Sequence, residues 1–97
     1  MAKGYWINCF RAVKDPKKVE AYRNLAGPVM QAAGAKFLVR GDPVKTYEAG
    51  LMMRTVVIEF ESVAAAIAAH DSPGYQAALK ALGDGAERDL RIVEGLA

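Results

Sequence analysis

The sequence predicts an α+β fold, a ferredoxin-like split βαβ with a four-stranded antiparallel sheet and its helices on one face. Three observations lead there. The stretch Arg54 to Leu79, RTVVIEFESVAAAIAAHDSPGYQAAL, reads as a strand, an alanine-rich helix and a second helix restarted at Asp71-Ser72-Pro73. A helix-period segment follows Asp15-Pro16, and short alternating apolar segments lie before it, after it and at the end of the chain. The order is therefore β-α-β-β-α(α)-β, which right-handed crossovers wind into a split βαβ with the first and third strands central.

The first strand is expected over Lys3 to Arg11, with Tyr5, Ile7 and Cys9 on one face and Trp6, Asn8 and Phe10 on the other. Asp15 offers a side-chain acceptor at the N-cap and Pro16 fills N1, where a missing N–H costs nothing. Val19, Tyr22, Ala26, Val29, Met30 and Ala33 then recur at helical spacing. Pro28 removes the hydrogen bond to the Asn24 carbonyl, so a kink or break is expected near Gly27-Pro28, and Gly34 ends the helix.

Ala35 to Arg40 reads as the second strand. The connection Gly41 to Met53 is long for a hairpin, and Val44 to Tyr47 is expected to form a short extra strand inside it. The third strand, Arg54 to Glu61, alternates Arg54, Val56, Ile58 and Phe60 against Thr55, Val57, Glu59 and Glu61. Ser62 caps a helix whose Val63, Ala66, Ile67 and His70 share a stripe. Ser72-Pro73 starts another, presenting Tyr75, Ala78, Leu79 and Leu82 and ending at Gly83, and the last strand is expected over Asp89 to Glu94.

Ninety-seven residues imply one domain, residues 1–97. Hydrophobic residues make up 53% of the chain, above the ~45–50% apolar share of ordinary domains. The bare sheet face, with Trp6, Val57 and their neighbours expected on it, gives that surplus a place to go, and a homodimer is the expected cover. Net charge is +2 with the basic residues scattered, so no nucleic-acid partner is expected. One cysteine excludes an intramolecular disulfide and any multi-cysteine metal site. Neither a signal core nor a membrane-length apolar run is present, and the expected location is the cytoplasm.

With GYWI at 4–7, FLVRG at 37–41, VVIEF at 56–60 and DSPGYQAA at 71–78, the chain resembles the domain-of-unknown-function family DUF1330 over essentially its whole length. That resemblance implies membership of the wider dimeric α/β-barrel group, in which two ferredoxin-like protomers press their sheets together. The group includes cofactor-free monooxygenases, muconolactone isomerases, stress-responsive barrels and haem-binding chlorite dismutases. Haem is not expected here, since axial ligation would rest on His70 alone. No cofactor and no metal are expected.

The candidate catalytic residues are His70 and Arg54, with Arg40, Glu59, Ser72 and Tyr75 as candidate substrate-binding residues. His70 is the only side chain that titrates near neutrality unperturbed, but Asp71 is its immediate neighbour on a helix and should point away from it. Its alternative role is a helix-end contact with terminal carbonyls. Arg54 and Arg40 sit on paired strands and together suit a carboxylate or enolate, although Arg54 pairing with Glu59, Glu94 or a helix end remains open. Glu59 either meets an arginine across a dimer interface or acts as an acid or base of raised pKa. Ser72 also reads as a cap, Tyr75 and Tyr22 as core aromatics with bonded hydroxyls, and Cys9 as a structural thiol.

Two functions fit. In one, a small-molecule pocket between the sheet and the second helical segment binds or transforms an aromatic, enolic or carboxylate metabolite without a cofactor. In the other, the protein is a non-catalytic homodimer that binds a metabolite or serves in a stress response. The sequence leaves open whether the protein is an enzyme.

Overall fold

The computed structural model describes residues 2–96 and realises the expected order as β1 (Gly4–Val13), α1 (Pro16–Ala32), β2 (Lys36–Gly41), β3 (Thr55–Phe60), α2 (Val63–Asp71), α3 (Pro73–Leu82) and β4 (Ala86–Glu94). All strand pairings are antiparallel, in the spatial order β2-β3-β1-β4, so β1 and β3 are central as their apolar content requires. The fold is ferredoxin-like α+β.

The caps form as the sequence dictates. The Asp15 carboxylate accepts from the Lys17 and Lys18 N–H groups, Ser62 Oγ accepts from Ala65 N–H, and Ser72 Oγ accepts from Tyr75 N–H. Gly34 (φ 75°) and Gly83 (φ 50°) take the left-handed geometry that ends α1 and α3.

Five expectations change. Helix α1 runs unbroken through Pro28. Both Pro28 and Asn24 are exposed, so water satisfies the carbonyl that proline strips of its donor. No strand forms over Val44 to Tyr47; Val44 is 99% and Tyr47 75% exposed, and no strand among the described residues pairs with that stretch. Strand β4 starts at Ala86 instead of Asp89, because β1 continues past a bulge at Phe10/Ala12 to pair Val13 with Ala86. Ile67 faces outward and Ala69 inward, the small residues letting α2 lie close on the sheet.

The fifth change is which face holds Trp6. It packs beneath the helices, 1% exposed, with Phe60, Ile58, Met30 and Tyr75 in the core. Burial along β1 follows suit: Trp6, Asn8 and Phe10 are all buried, while Tyr5, Ile7 and Cys9 on the other face are only partly covered. The open face is instead built from Ile7, Val57, Cys9, Thr55, Tyr5, Glu59 and Val93 in mutual register.

Candidate functional site

Between α1 and the sheet lies a pocket of about 120 Å³. Its roof is Tyr22, Arg23, Ala26, Gly27 and Met30 of α1. Strand register lays out the floor in rows. Phe37, Ile58 and Trp6 form one row; Arg40, Val56 and Asn8 form the next. Arg54 and Phe10 form the third, tied by the Phe10 N–H donating to the Arg54 carbonyl at 3.0 Å. The sequence-based expectation put the ligand under the second helical segment. There the small side chains of Ala66, Ala69 and Ala78 are buried and α2 and α3 pack closely, with Trp6 and Tyr75 almost wholly covered between them and the sheet. The gap opens under α1 instead, where Gly27 contributes no side chain.

Three guanidinium groups, Arg23, Arg40 and Arg54, border this pocket. Burial holds the Arg54 pKa below the ordinary arginine value, and the like charges of Arg23 and Arg40 lower it further, with Asp42 offsetting part of that. Among the described residues no carboxylate comes within ion-pairing distance of any of the three; the ion pairs are Lys18–Asp84, His70–Asp71 and Arg91–Asp89. The alternative pairing of Arg54 with Glu59 or Glu94 is thus not made among the described residues. Arg40 also stacks over the Phe37 ring at 4.9 Å, which orients its fork beside the pocket.

Among the described residues Asn8 is the one buried polar residue of the core, 5% exposed, and its buried Oδ1 has no hydrogen-bond partner among them. An orphaned buried acceptor costs about 1–3 kcal/mol. Sequence analysis placed Asn8 on the Trp6/Phe10 face without assigning it a role. The legible signal was a lone amide between two aromatic residues on one face of a central strand.

The other candidate residues lie elsewhere. His70 ends α2, and its Nδ1 lies 2.9 Å from Asp71 Oδ1, so the two residues that were expected to point apart do meet. The helix stops at Asp71 and Ser72 is extended (φ −65°, ψ 149°), so no following turn holds the side chains apart. The His70 ring packs against Trp6 (5.9 Å) and Tyr75 (5.1 Å), and neither His70 nor Tyr75 borders the pocket. Ser72 Oγ donates to the Ala69 carbonyl (2.8 Å) while capping α3. Glu59 lies on the opposite sheet face, where the Tyr5 hydroxyl donates to its Oε2 at 3.0 Å and is thereby held above the usual phenol range.

Behind the pocket wall is a second polar cluster that the sequence did not disclose. Tyr22 and Tyr75 hydroxyls meet at 2.7 Å, and Arg88 donates to Tyr22 Oη at 3.0 Å and to Tyr75 Oη at 3.5 Å. Arg88 also lies over the Tyr22 ring at 4.7 Å. Burial pushes the Tyr75 phenol well up. Burial alone would lower Arg88, but the two phenol oxygens outweigh it and leave it raised. Arg88 was missed because the last strand was expected to start only at Asp89, leaving Arg88 outside it, whereas β4 begins at Ala86. No group of three or more His, Cys, Asp or Glu is placed to hold a metal ion among the described residues.

Residues 3–96 match the family described as a domain of unknown function, DUF1330. The chain belongs to the DUF1330 family. No curated protein matches the sequence of this DUF1330 domain. Among solved structures, it is similar to a protein of unknown function from Rhodopseudomonas palustris, with a TM-score of 0.76 at 20% identity over 99% of this chain and 84% of that one. SnoaB, a cofactor-independent oxygenase from Streptomyces nogalater, superposes with a TM-score of 0.66 at 14% identity, covering 100% of this chain and 96% of that one. A dimeric ferredoxin-like protein of unknown function from Thermobifida fusca gives 0.61 at 20% identity, over 95% and 90%. At these identities the likeness concerns the fold. No helix among the described residues is long and apolar enough to cross a membrane.

Proposed function

We propose that this DUF1330 domain is a homodimeric, cofactor-free protein whose pocket under α1 binds a small organic anion, an aromatic or enolic carboxylate. The observation that carries this reading is the convergence of Arg23, Arg40 and Arg54 on one pocket with no carboxylate in direct ion-pair contact among the described residues, Asp42 offsetting their charge only in part. Arg54 is partly desolvated and feels the like charges of the exposed Arg23 and Arg40, and a bound anion would offset that cost. The apolar walls, Trp6, Phe10, Phe37, Val56 and Ile58, suit an unsaturated or ring-bearing body. Arg54 and Arg40 are suited to stabilise a carboxylate or enolate by charge-assisted hydrogen bonds. The described lining holds neither histidine nor carboxylate to act as a base, which favours binding over base-driven chemistry. SnoaB, described as a cofactor-independent oxygenase, supports the cofactor-free part of the reading.

Calorimetric titration with benzoate tests it. Arg54→Ala is expected to weaken binding about 10- to 100-fold, the loss of one charge-assisted bond of ~1.5–3 kcal/mol. Equal affinities in the native protein, Arg54→Ala and Arg40→Ala would remove the pocket from consideration.

The dimer rests on surface. The open sheet face carries Ile7, Val57 and Val93, and edge strand β2 leaves Leu38 45% and Val39 48% exposed. The arm adds Val44, Tyr47, Leu51 and Met52, all exposed. That much contiguous apolar surface on a chain of 97 residues asks for a cover, and the Thermobifida fusca neighbour is described as dimeric. Native mass spectrometry at micromolar concentration is expected to show the dimer; a spectrum of monomer alone would refute it.

A further inference from the structure

We infer that Arg88 is a fourth charge of the anion site: held behind the Tyr22 and Phe10 walls of the pocket, it strengthens the hold on an anionic ligand without touching it. This rests on the pocket reading above and extends it to a residue that does not border the pocket. Strand β4 places the residue there. Arg88 pairs with Phe10 across the β1–β4 ladder, and alternation sets it on the helix side of the sheet with Ala86, Leu90 and Ile92, which pack on the core. Its guanidinium carbon lies 4.7 Å from the Tyr22 ring centroid and 5.8 Å from that of Phe10. Both rings line the pocket, whereas Arg88 does not, so the charge backs that wall from outside.

Among the described residues no carboxylate cancels the charge. Asp89 is next in sequence, but both of its oxygens accept from Arg91 at 3.0 Å. The Arg88 fork is held instead by two phenols, donating to Tyr22 at 3.0 Å and to Tyr75 at 3.5 Å. Burial pushes the Tyr75 phenol well up, so it does not ionise to neutralise its neighbour. The two hydroxyls already meet each other at 2.7 Å, so the tyrosine pair has a hydrogen bond without the arginine. A half-buried cation placed beside them costs desolvation free energy that no fixed anion recovers. An anion bound in the pocket recovers part of it.

Distance sets the size of the effect. A ligand atom in contact with the Tyr22 ring stands about 4 Å from its centroid, so it is at most about 9 Å from the Arg88 guanidinium carbon, whichever face it takes. A ligand that fills the pocket reaches that ring: the volume is about 120 Å³, and a cavity of about 150 Å³ holds benzene. The charge of a single-ring carboxylate stands a few ångströms further, roughly 12 Å in all. Opposite unit charges at that range change affinity by about 2- to 10-fold as the effective dielectric runs from about 80 down to about 20. The cation is partly shielded from water by Tyr22, Tyr75 and Phe10, which favours the upper end of that range.

The test measures benzoate binding by calorimetry on the full chain, with the melting temperature of each variant alongside. Arg88→Met, which keeps the apolar stem and loses the charge, is expected to bind about 3- to 10-fold more weakly than the native protein. Arg88→Lys, which keeps the charge and loses the fork, should stay within about twofold of it. Native affinity in Arg88→Met would overturn the inference while leaving the pocket standing. Equal weakening in Arg88→Lys and Arg88→Met would overturn it as well, by making packing and fork geometry the cause in place of charge. If Arg88→Met does not fold, Arg88→Gln, which keeps N–H donors for the phenols, takes its place with the same outcomes. Unfolding of both would make Arg88 a structural residue and overturn the inference. Failure of benzoate to bind the native protein, or binding indifferent to both Arg54→Ala and Arg40→Ala, would instead remove the pocket reading and the inference with it.

Discussion

Replacing Trp6 by alanine is expected to lower the unfolding free energy by about 3–5 kcal/mol. The ring is 1% exposed and sits where three elements meet. It packs on Phe60 of β3 at 5.6 Å, on Tyr75 of α3 at 5.0 Å and on His70 at the end of α2 at 5.9 Å. Its Nε1 donates to the Ala66 carbonyl at 3.0 Å, pinning α2 to β1. The alanines of α2 cannot collapse into the space, because they are already against the sheet and have no side chain to extend. Domains of this size have about 5–15 kcal/mol in total, so the variant should be largely unfolded in mild urea. Far-UV circular dichroism is the readout, since Trp6 is the sole tryptophan and its fluorescence leaves with it. Trp6→Phe, which keeps a ring, should lose clearly less. A loss below about 1.5 kcal/mol in Trp6→Ala would contradict this account of the core.

Gly4→Ala is expected to cost about 1–3 kcal/mol through overpacking, although it adds a single methyl group. A Cβ at Gly4 would stand 2.5 Å from the Ser62 carbonyl oxygen and 2.7 Å from Val63 Cα, both backbone atoms. The strand cannot retreat, because Gly4 pairs with Phe60 on one side and Glu94 on the other. The helix cannot easily retreat either, since Ser62 is the residue that caps α2. Gly4 does not have a positive φ, so the penalty is steric and not conformational. Gly27→Ala supplies the contrast: its Cβ meets no atom within 4 Å, and it sits inside α1, where alanine is favoured over glycine by up to ~1 kcal/mol. Urea melts of the pair should therefore move in opposite directions. A Gly4→Ala midpoint equal to the native one would refute the close approach of β1 to the start of α2.

These two residues also show how sequence and structure divided the information. Trp6 was legible as an apolar strand residue, but period-2 alternation alone does not say which face lies under the helices. Long-range packing chose it, by setting Trp6 against Ala66 and Tyr75. Arg54 and Arg40 were legible as a pair because strand order follows from element order, and the register then brought both to one pocket. His70 was singled out for its chemistry and lies one aromatic ring away from that pocket, beside Trp6. Arg23 and Arg88 were not singled out, because neither burial nor cross-strand register shows in a local charge pattern. Asn8 was visible yet unassigned, since an amide on a core face is informative only once its partner is known to be missing.

By itself, the sequence determined the element order, the caps at Asp15, Ser62 and Ser72, the stops at Gly34 and Gly83, and hence the ferredoxin-like sheet. Those follow from local rules, periodicity and side-chain capping, that act within a few residues. Only the tertiary structure decided that this pocket lies under α1, that its charge comes from Arg23 of α1, Arg40 of β2 and Arg54 just before β3, and that Asn8 is buried with its Oδ1 unpaired among the described residues. The physical reason is that cavities and unsatisfied groups are properties of what fails to meet. That depends on how closely alanine-rich and glycine-bearing helices settle onto the same sheet.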